Sequence, residues 1–129
     1  MKAFAIQRPA TAFSISPGKK KRPREKRIDH LKWVSTLPCV VCGIRPVQVA
    51  HIRMAYLPLG KRSTGMQEKA DDSWTVPLCI PHHAEQHSMA EEAFWAIHKI
   101  DPFITALALF RASGDDDSAH SILNSVRQK

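Results

Sequence analysis

The spacing of apolar side chains predicts a helix at the start of the folded part of the chain. Leu31, Val34 and Leu37 recur at three-residue intervals, which is the repeat of one helix face. Asp29 stands where an N-cap is expected, and Pro38 cannot continue a helix. We therefore expect a short helix from Asp29 to about Leu37.

Two short strands are predicted in the middle of the chain. Residues 47–52 alternate with the strand period of two and carry His51 near their end. Residues 73–78 form the second predicted strand, and a long basic loop over residues 53–72 joins the two. Short strands between helical segments favour an α+β fold.

Helical spacing returns in the last third of the chain. Pro81 suits the first position of a helix, and histidine and apolar side chains at three- and four-residue intervals extend it to about Ile100. Asp101 then caps a predicted helix over residues 102–112, and a short helix is expected over residues 118–126.

The positive charge of the chain is concentrated near its N-terminus. The 129 residues include 19 Lys or Arg and 12 Asp or Glu, and nine of the basic residues precede residue 28, beside the single acid Glu25. Such a segment is expected to be a disordered arm, residues 1–27, that binds DNA phosphates; a solubilising tail is the alternative. The arm residues expected to contact DNA are Lys19, Lys20, Lys21, Arg22, Arg24, Lys26 and Arg27.

The rest of the chain is expected to form one domain. Residues 28–112 are assigned to it, and residues 113–129 to a tail or short helix. No segment approaches the roughly 18 to 20 apolar residues of a membrane span, and the N-terminus lacks the apolar core of a secretory signal. The three cysteines, an odd number, argue against a disulfide framework. A cytoplasmic protein without a membrane partner is therefore expected.

Four side chains form a candidate zinc site. Cys39 and Cys42 are two residues apart, as are Cys79 and His82, and paired ligands at this spacing each supply half of a tetrahedron. Four protein ligands close the coordination shell, so the zinc is expected to be structural. The alternatives are unrelated thiols near a surface histidine, or a thioredoxin-like redox pair.

Three further histidines suggest a second metal site. His83 and His87 are four residues apart, so their side chains meet on one helix face and can hold a cation. His51 lies on the predicted strand between the two zinc-binding pairs. The alternative is that these are ordinary surface histidines at a polar helix start.

The order of these motifs resembles the HNH, or ββα-metal, endonucleases over about residues 37–105. The shared pattern is Cys-x-x-Cys, a strand that ends in His, then Leu-Cys-x-x-His-His and a further His on the helix. The closest resemblance is to a phage and prophage branch that includes the RecA-dependent nuclease Ref. It implies a small ββα-metal domain with a zinc knuckle and flanking helices. It also implies His51 as general base, and His83 and His87 as ligands of a catalytic Mg²⁺ or Mn²⁺.

The chain departs from that pattern at two positions. Ala50 stands where many members carry an acid before the first histidine, and Trp74 where an asparagine is expected. Asp71 or Asp72 can supply the missing oxygen ligand or orient His51, and Asp72 is assigned to the catalytic set. In the loop, Arg53, Lys61 and Arg62 are expected to meet the DNA backbone; a solvated loop is the alternative.

The resemblance and the charge imply a metal-dependent DNA endonuclease or nickase that hydrolyses phosphodiester bonds in phage or prophage DNA recombination. The host would be a bacterial cell, and a RecA-type recombinase filament is an expected partner besides DNA. The alternative is a zinc-stabilised DNA-binding protein, or a recombination accessory protein, without catalysis.

Overall fold

The computed structural model describes residues 26–61 and 71–127. The prediction of a disordered arm therefore falls outside the described residues, apart from the junction at Lys26 and Arg27. Within the described ranges no single helix is long and apolar enough to cross a membrane. One pair of successive helices, Glu91–His98 and Pro102–Arg111, reaches that length and apolar content together but is bent by 81°.

The described residues form five α-helices and one two-stranded sheet, which confirms the α+β class. A single 3₁₀ turn, Leu57–Leu59, lies between the strands. In chain order the elements are α1 (Ile28–Val34), β1 (Val47–His51), β2 (Thr75–Cys79), α2 (Ile80–His87), α3 (Glu91–His98), α4 (Pro102–Arg111) and α5 (Asp116–Arg127).

The two strands pair antiparallel, in a register that separates two sets of candidate residues. Val47 faces Cys79 at one end of the ladder, and His51 faces Thr75 at the other. Every residue of β2 is buried, whereas β1 exposes Gln48. The Cys79 end therefore adjoins the predicted metal knuckle, and His51 lies at the far end of the same hairpin.

The first helix is shorter than predicted, and its cap differs. Arg27 occupies the N-cap position, whereas Asp29 lies inside the first turn, where its carboxylate meets the Arg27 side chain at 3.4 Å. The prediction of an Asp29 cap is therefore wrong. The helix ends at Val34, yet Leu37 remains buried in the turn that follows.

The single helix predicted from Pro81 to Ile100 is also wrong, because the chain breaks at residues 88–90 into α2 and α3. Ala90 has an extended backbone with φ −61° and ψ 133°, which no α-helix contains. As a result the two helices do not share one inward face, and Ile97 is 60% exposed while Phe94 is fully buried. The predicted Asp101 cap is confirmed, since its side chain accepts hydrogen bonds from two backbone N–H groups of α4.

One hydrophobic core joins the sheet to the helices. The C-terminal helix α5 belongs to it through Ala119 and Leu123, and Arg127 near its end donates to the Cys39 carbonyl oxygen at 2.9 Å. Among the described residues, the other fully buried side chains of the core are Val34, Cys39, Val40, Ala50, Ile52, Val76, Leu78, Phe94, Ala106 and Leu109.

Candidate functional site

The Cys39–Cys42 pair lies on a tight turn that is fastened to the sheet. Gly43 has φ +78°, which favours glycine, and its N–H donates to the Cys39 carbonyl oxygen at 2.8 Å. The Val40 N–H donates to the Pro77 carbonyl oxygen of β2 at 2.9 Å. This places the turn beside Cys79, the last residue of β2.

Four ligand atoms converge at this end of the hairpin, as the sequence spacing predicts. Those of Cys39, Cys42, Cys79 and His82 all lie within 4.8 Å of one another. The Cys42 and Cys79 sulfur atoms are 3.7 Å apart, and His82 Nδ1 is 3.1 Å from Cys79 Sγ and 3.7 Å from Cys39 Sγ. All three cysteines are free. The described structure thus contains a Cys₃His set that can hold a metal ion.

The thiols of the knuckle differ in acidity. Burial acts to raise the pKa of Cys39, but hydrogen bonds, first from the backbone of Cys79, outweigh it and bring this pKa to about 7. Burial, with the adjacent Cys79 and Cys39 thiols acting in the same direction, raises the pKa of Cys42 to about 11. Metal binding would displace the protons that these thiols carry.

A second group of potential ligands flanks His82. Ligand atoms of His82, Glu85 and His98 lie within 4.8 Å of one another, and His98 Nε2 is 3.0 Å from Glu85 Oε1. The His82 and His98 rings meet edge to face with centroids 5.3 Å apart. Sequence reasoning missed Glu85 and His98. Glu85 lies on α2 with His82, and His98 is the last residue of α3.

His51 is paired with a buried carboxyl group. Its Nε2 atom is 3.1 Å from Asp72 Oδ1, and the Asp72 side chain is only 1% exposed. The second carboxyl oxygen, Oδ2, accepts from the Arg27 backbone N–H at 2.6 Å. The structure thus brings together the two residues that the sequence assigned to catalysis.

His83 and His87 also converge, at one turn's separation on α2. Their Nε2 atoms are 3.2 Å apart, and His83 Nδ1 is 2.7 Å from the Gln48 side-chain oxygen on β1. Burial lowers the pKa of His83, and His87 and His51 act in the same direction. Sequence reasoning missed Gln48; the one signal for it is its polar side chain at the second position of β1.

The three histidines do not form a compact ligand set by themselves. Within residues 26–61 and 71–127, the ligand atoms of His51, His83 and His87 do not all lie within 4.8 Å of one another, whereas those of the Cys₃His set do. His51 is nevertheless near enough for its charge to act on His83. The arrangement is a histidine pair with a third, carboxyl-bound histidine nearby.

Glu91 fixes the chain just beyond His51. Its Oε1 atom accepts from the Arg53 backbone N–H at 3.1 Å, and Oε2 accepts from the Gln86 side-chain amide at 3.1 Å and the Trp95 indole at 3.3 Å. One carboxylate therefore holds the end of β1 against both α2 and α3.

The predicted DNA-contacting residues have different environments. Lys26 is exposed, and Arg27 is half-buried with its guanidinium 5.1 Å from the centre of the Phe110 ring. Lys61 is only 5% exposed and donates to the Met54 carbonyl oxygen, so it does not point toward solvent as expected. Arg53 is half-buried at the start of the inter-strand loop. The other candidates, Lys19, Lys20, Lys21, Arg22, Arg24 and Arg62, lie outside the described residues.

Trp74 occupies the position where an orienting asparagine was expected. Its ring packs edge-on against Phe103, with centroids 6.2 Å apart, and Phe103 in turn stacks on Tyr56 at 4.6 Å. The indole is therefore part of an aromatic contact between the inter-strand loop and α4. Ala50 is fully buried in the core.

The fold and site define a small α+β protein with a Cys₃His cluster that can bind a metal ion. The chain belongs to the family described as "Protein of unknown function (DUF968)", whose sequence pattern matches residues 7–105. It is 35% identical over 68 residues to the "Uncharacterized protein YdfU" of Escherichia coli (strain K12). That similarity covers 53% of this chain and 18% of the relative, so the chain spans less than a fifth of the relative's length. No solved structure matches this chain.

Proposed function

We propose that the protein is a zinc-stabilised, metal-dependent DNA endonuclease of the HNH type. The observation that carries the proposal is the pairing of His51 with buried Asp72 on the same hairpin-and-helix unit as the converging His83 and His87. The order of elements, β1, β2 and then α2, is that of the ββα-metal class. Supporting observations are the net charge of +7 and the basic N-terminal segment.

Zinc fits the Cys₃His set. In a tetrahedral site with Zn–S bonds of about 2.3 Å, two sulfur ligands lie about 3.8 Å apart. The separation of 3.7 Å between Cys42 Sγ and Cys79 Sγ agrees with that edge and is far longer than a disulfide bond of about 2.05 Å. With four protein ligands the site has no open position, which assigns the zinc a structural role.

A divalent cation fits the His83 and His87 pair. Two ligands bound at about 2.1 Å and at right angles lie about 3.0 Å apart, close to the 3.2 Å between the two Nε2 atoms. His83 donates its other ring proton to Gln48, the kind of contact that fixes the tautomer of a metal-binding histidine. When bound, Mg²⁺ or Mn²⁺ would act as a Lewis acid on a phosphate oxygen and stabilise the leaving group.

His51 supplies the base. With Asp72 as acceptor, the proton of the neutral imidazole resides on Nε2, so the lone pair that can accept a proton is the one on Nδ1. Nδ1 removes a proton from a water molecule, whose oxygen forms a new bond to phosphorus. The bond between phosphorus and the 3′-oxygen breaks, and the leaving oxygen takes a proton from solvent. Asp72 holds the ring and stabilises its protonated form, as a carboxylate does for a catalytic histidine.

The substrate binds through its backbone charge. Lys26, Arg27 and the basic residues that precede them in the sequence would contact phosphates and release counterions. Contacts of this kind carry no sequence information, so we infer a sequence-tolerant enzyme. The proposed context is phage or prophage DNA recombination, with a RecA-type recombinase filament as a partner.

The test is cleavage of supercoiled plasmid by the purified protein with Mg²⁺ or Mn²⁺, alone and with a RecA-type filament. We expect metal-dependent nicks that end in 3′-hydroxyl and 5′-phosphate groups. Salt-dependent DNA binding with no cleavage in either metal, with or without the filament, would instead support the zinc-stabilised DNA-binding protein.

A further inference from the structure

The carboxyl group of Asp72 has a different partner on each oxygen. Oδ1 meets His51 Nε2 at 3.1 Å, and Oδ2 accepts from the Arg27 backbone N–H at 2.6 Å. Arg27 is 45 residues away in the sequence and His51 is 21 residues away. Because the side chain is 1% exposed, water cannot easily replace either contact. The two bonds together define the orientation in which Asp72 faces His51.

The backbone of Arg27 is itself held in place. Its carbonyl oxygen accepts from the Leu31 N–H at 3.0 Å, as the N-cap of α1. Its guanidinium lies 5.1 Å from the centre of the Phe110 ring and 3.4 Å from an Asp29 carboxyl oxygen. The N–H that binds Asp72 is therefore presented by a residue anchored to both α1 and α4.

We propose that the backbone N–H of Arg27, where the basic segment joins the folded domain, positions His51 through Asp72. The inference rests on the general-base role proposed for His51. Loss of this donor removes one of the hydrogen bonds that hold the buried carboxyl group, so Asp72 can turn away from His51. The His51 ring then loses its fixed tautomer and orientation. Arg27 is thus a positioning residue, and the segment that supplies phosphate contacts also supports the base.

The test compares two full-length variants at one position. Arg27→Ala keeps the N–H and removes the guanidinium, so we expect a higher KM for DNA with kcat reduced by no more than about threefold. Arg27→Pro removes the N–H as well, and we expect its kcat to be at least about tenfold lower than that of Arg27→Ala. This loss is smaller than the roughly 10²- to 10⁴-fold rate contribution of a general base, because the base is misoriented and not removed. Equal kcat values for the two folded variants would overturn the proposal.

A second measurement does not depend on activity. Nitrogen NMR of the His51 ring should show the Nε2–H tautomer in the wild type and in Arg27→Ala, and a mixture of tautomers in Arg27→Pro. The wild-type tautomer in Arg27→Pro would overturn the inference even if no nuclease activity is found. Conversely, a wild type that never cleaves DNA removes the proposed function but leaves the NMR comparison decisive for the Arg27 contact.

Proline also changes the backbone, since Arg27 has φ −134° and proline requires about −65°. An amide-to-ester replacement at residue 27, made by semisynthesis, removes the N–H without that change. Zinc content and thermal unfolding identify variants that fail to fold. If Arg27→Pro is among them, the ester protein should show the same loss of kcat and the same mixed tautomer; wild-type values in the ester protein would contradict the proposal.

Discussion

Asp72 and His51 form a buried contact of 3.1 Å between a carboxyl oxygen and an imidazole nitrogen. The contact joins the last residue of β1 to the segment just before β2. A direct consequence concerns the rate of cleavage. Replacing Asp72 by Ala should lower kcat by about 10- to 100-fold, because the base loses its orientation and the stabilisation of its charged form.

Asp71→Ala is the matched control for that experiment. Asp71 is adjacent in sequence and carries the same charge, so its loss removes one negative charge from the same segment. We expect Asp71→Ala to keep kcat within about threefold of the wild type in plasmid nicking. Equal losses in the two variants would show that local charge, and not the contact with His51, is what matters.

The Cys₃His cluster predicts a stability effect that is separate from catalysis. His82→Asn should reduce zinc content from about one ion per chain to near zero and abolish cooperative thermal unfolding, since zinc binding contributes directly to folding in sites of this kind. His120→Asn serves as control, because His120 lies outside the cluster. A zinc-loaded, normally melting His82→Asn protein would contradict the assignment.

The contact between Gln48 and His83 predicts a change in affinity at the second site. Gln48→Leu removes the acceptor that fixes the His83 tautomer, so affinity for Mn²⁺ should fall by about 10- to 100-fold while zinc content stays the same. Titration of zinc-loaded protein with Mn²⁺ measures this. Gln48→Glu restores an acceptor and should recover the affinity; no difference among the three proteins would argue against the site.

His30 predicts a pH dependence of folding stability. It is fully buried, its Nδ1 atom is 2.8 Å from Ser113 Oγ, and its Nε2 atom has no hydrogen-bond partner among residues 26–61 and 71–127. Burial lowers its pKa from the usual 6.5. Because the folded-state pKa is lowered, the contribution of neutral His30 to the free energy of unfolding is fully present above the unfolded-state pKa. That contribution is lost as pH falls through the folded-state pKa.

The experiment compares the wild type with His30→Leu, which is neutral at every pH. Acid also protonates the metal ligands, but it does so in both proteins, so the difference between their free energies of unfolding isolates His30. From about pH 8 to about pH 5 the wild type should lose stability relative to the variant, and the loss should begin below about pH 6.5. A difference that does not vary with pH would refute this.

The ligand set of the metal cluster could be predicted because its information is local. Cys39 and Cys42 share one turn, and Cys79 and His82 share one strand end and helix start, so residue spacing alone nearly fixes each pair. The same holds for the Asp101 cap, which is a contact with the next few residues. Features that depend on two or three neighbouring residues are well determined by sequence patterns.

Features that depend on distant contacts were missed. The break between α2 and α3 coincides with Glu91, whose carboxylate binds Arg53, Gln86 and Trp95, and no helical periodicity contains that information. The Asp29 cap was wrong in a similar way: Arg27 is the N-cap of α1, and its backbone N–H binds the distant Asp72. The sequence predicts that Lys61 is exposed at the surface, but its side chain in the inter-strand loop is buried.

The measurement that tests the central claim most directly is the rate of plasmid nicking by His51→Ala. At saturating Mg²⁺ or Mn²⁺ and equal zinc content, we expect the rate to fall by about 10²- to 10⁴-fold relative to the wild type, as loss of a general base requires. The His120→Ala protein, altered at a histidine outside the Cys₃His set, should cut at the wild-type rate. Equal rates for the wild type and His51→Ala would contradict the proposed nuclease mechanism.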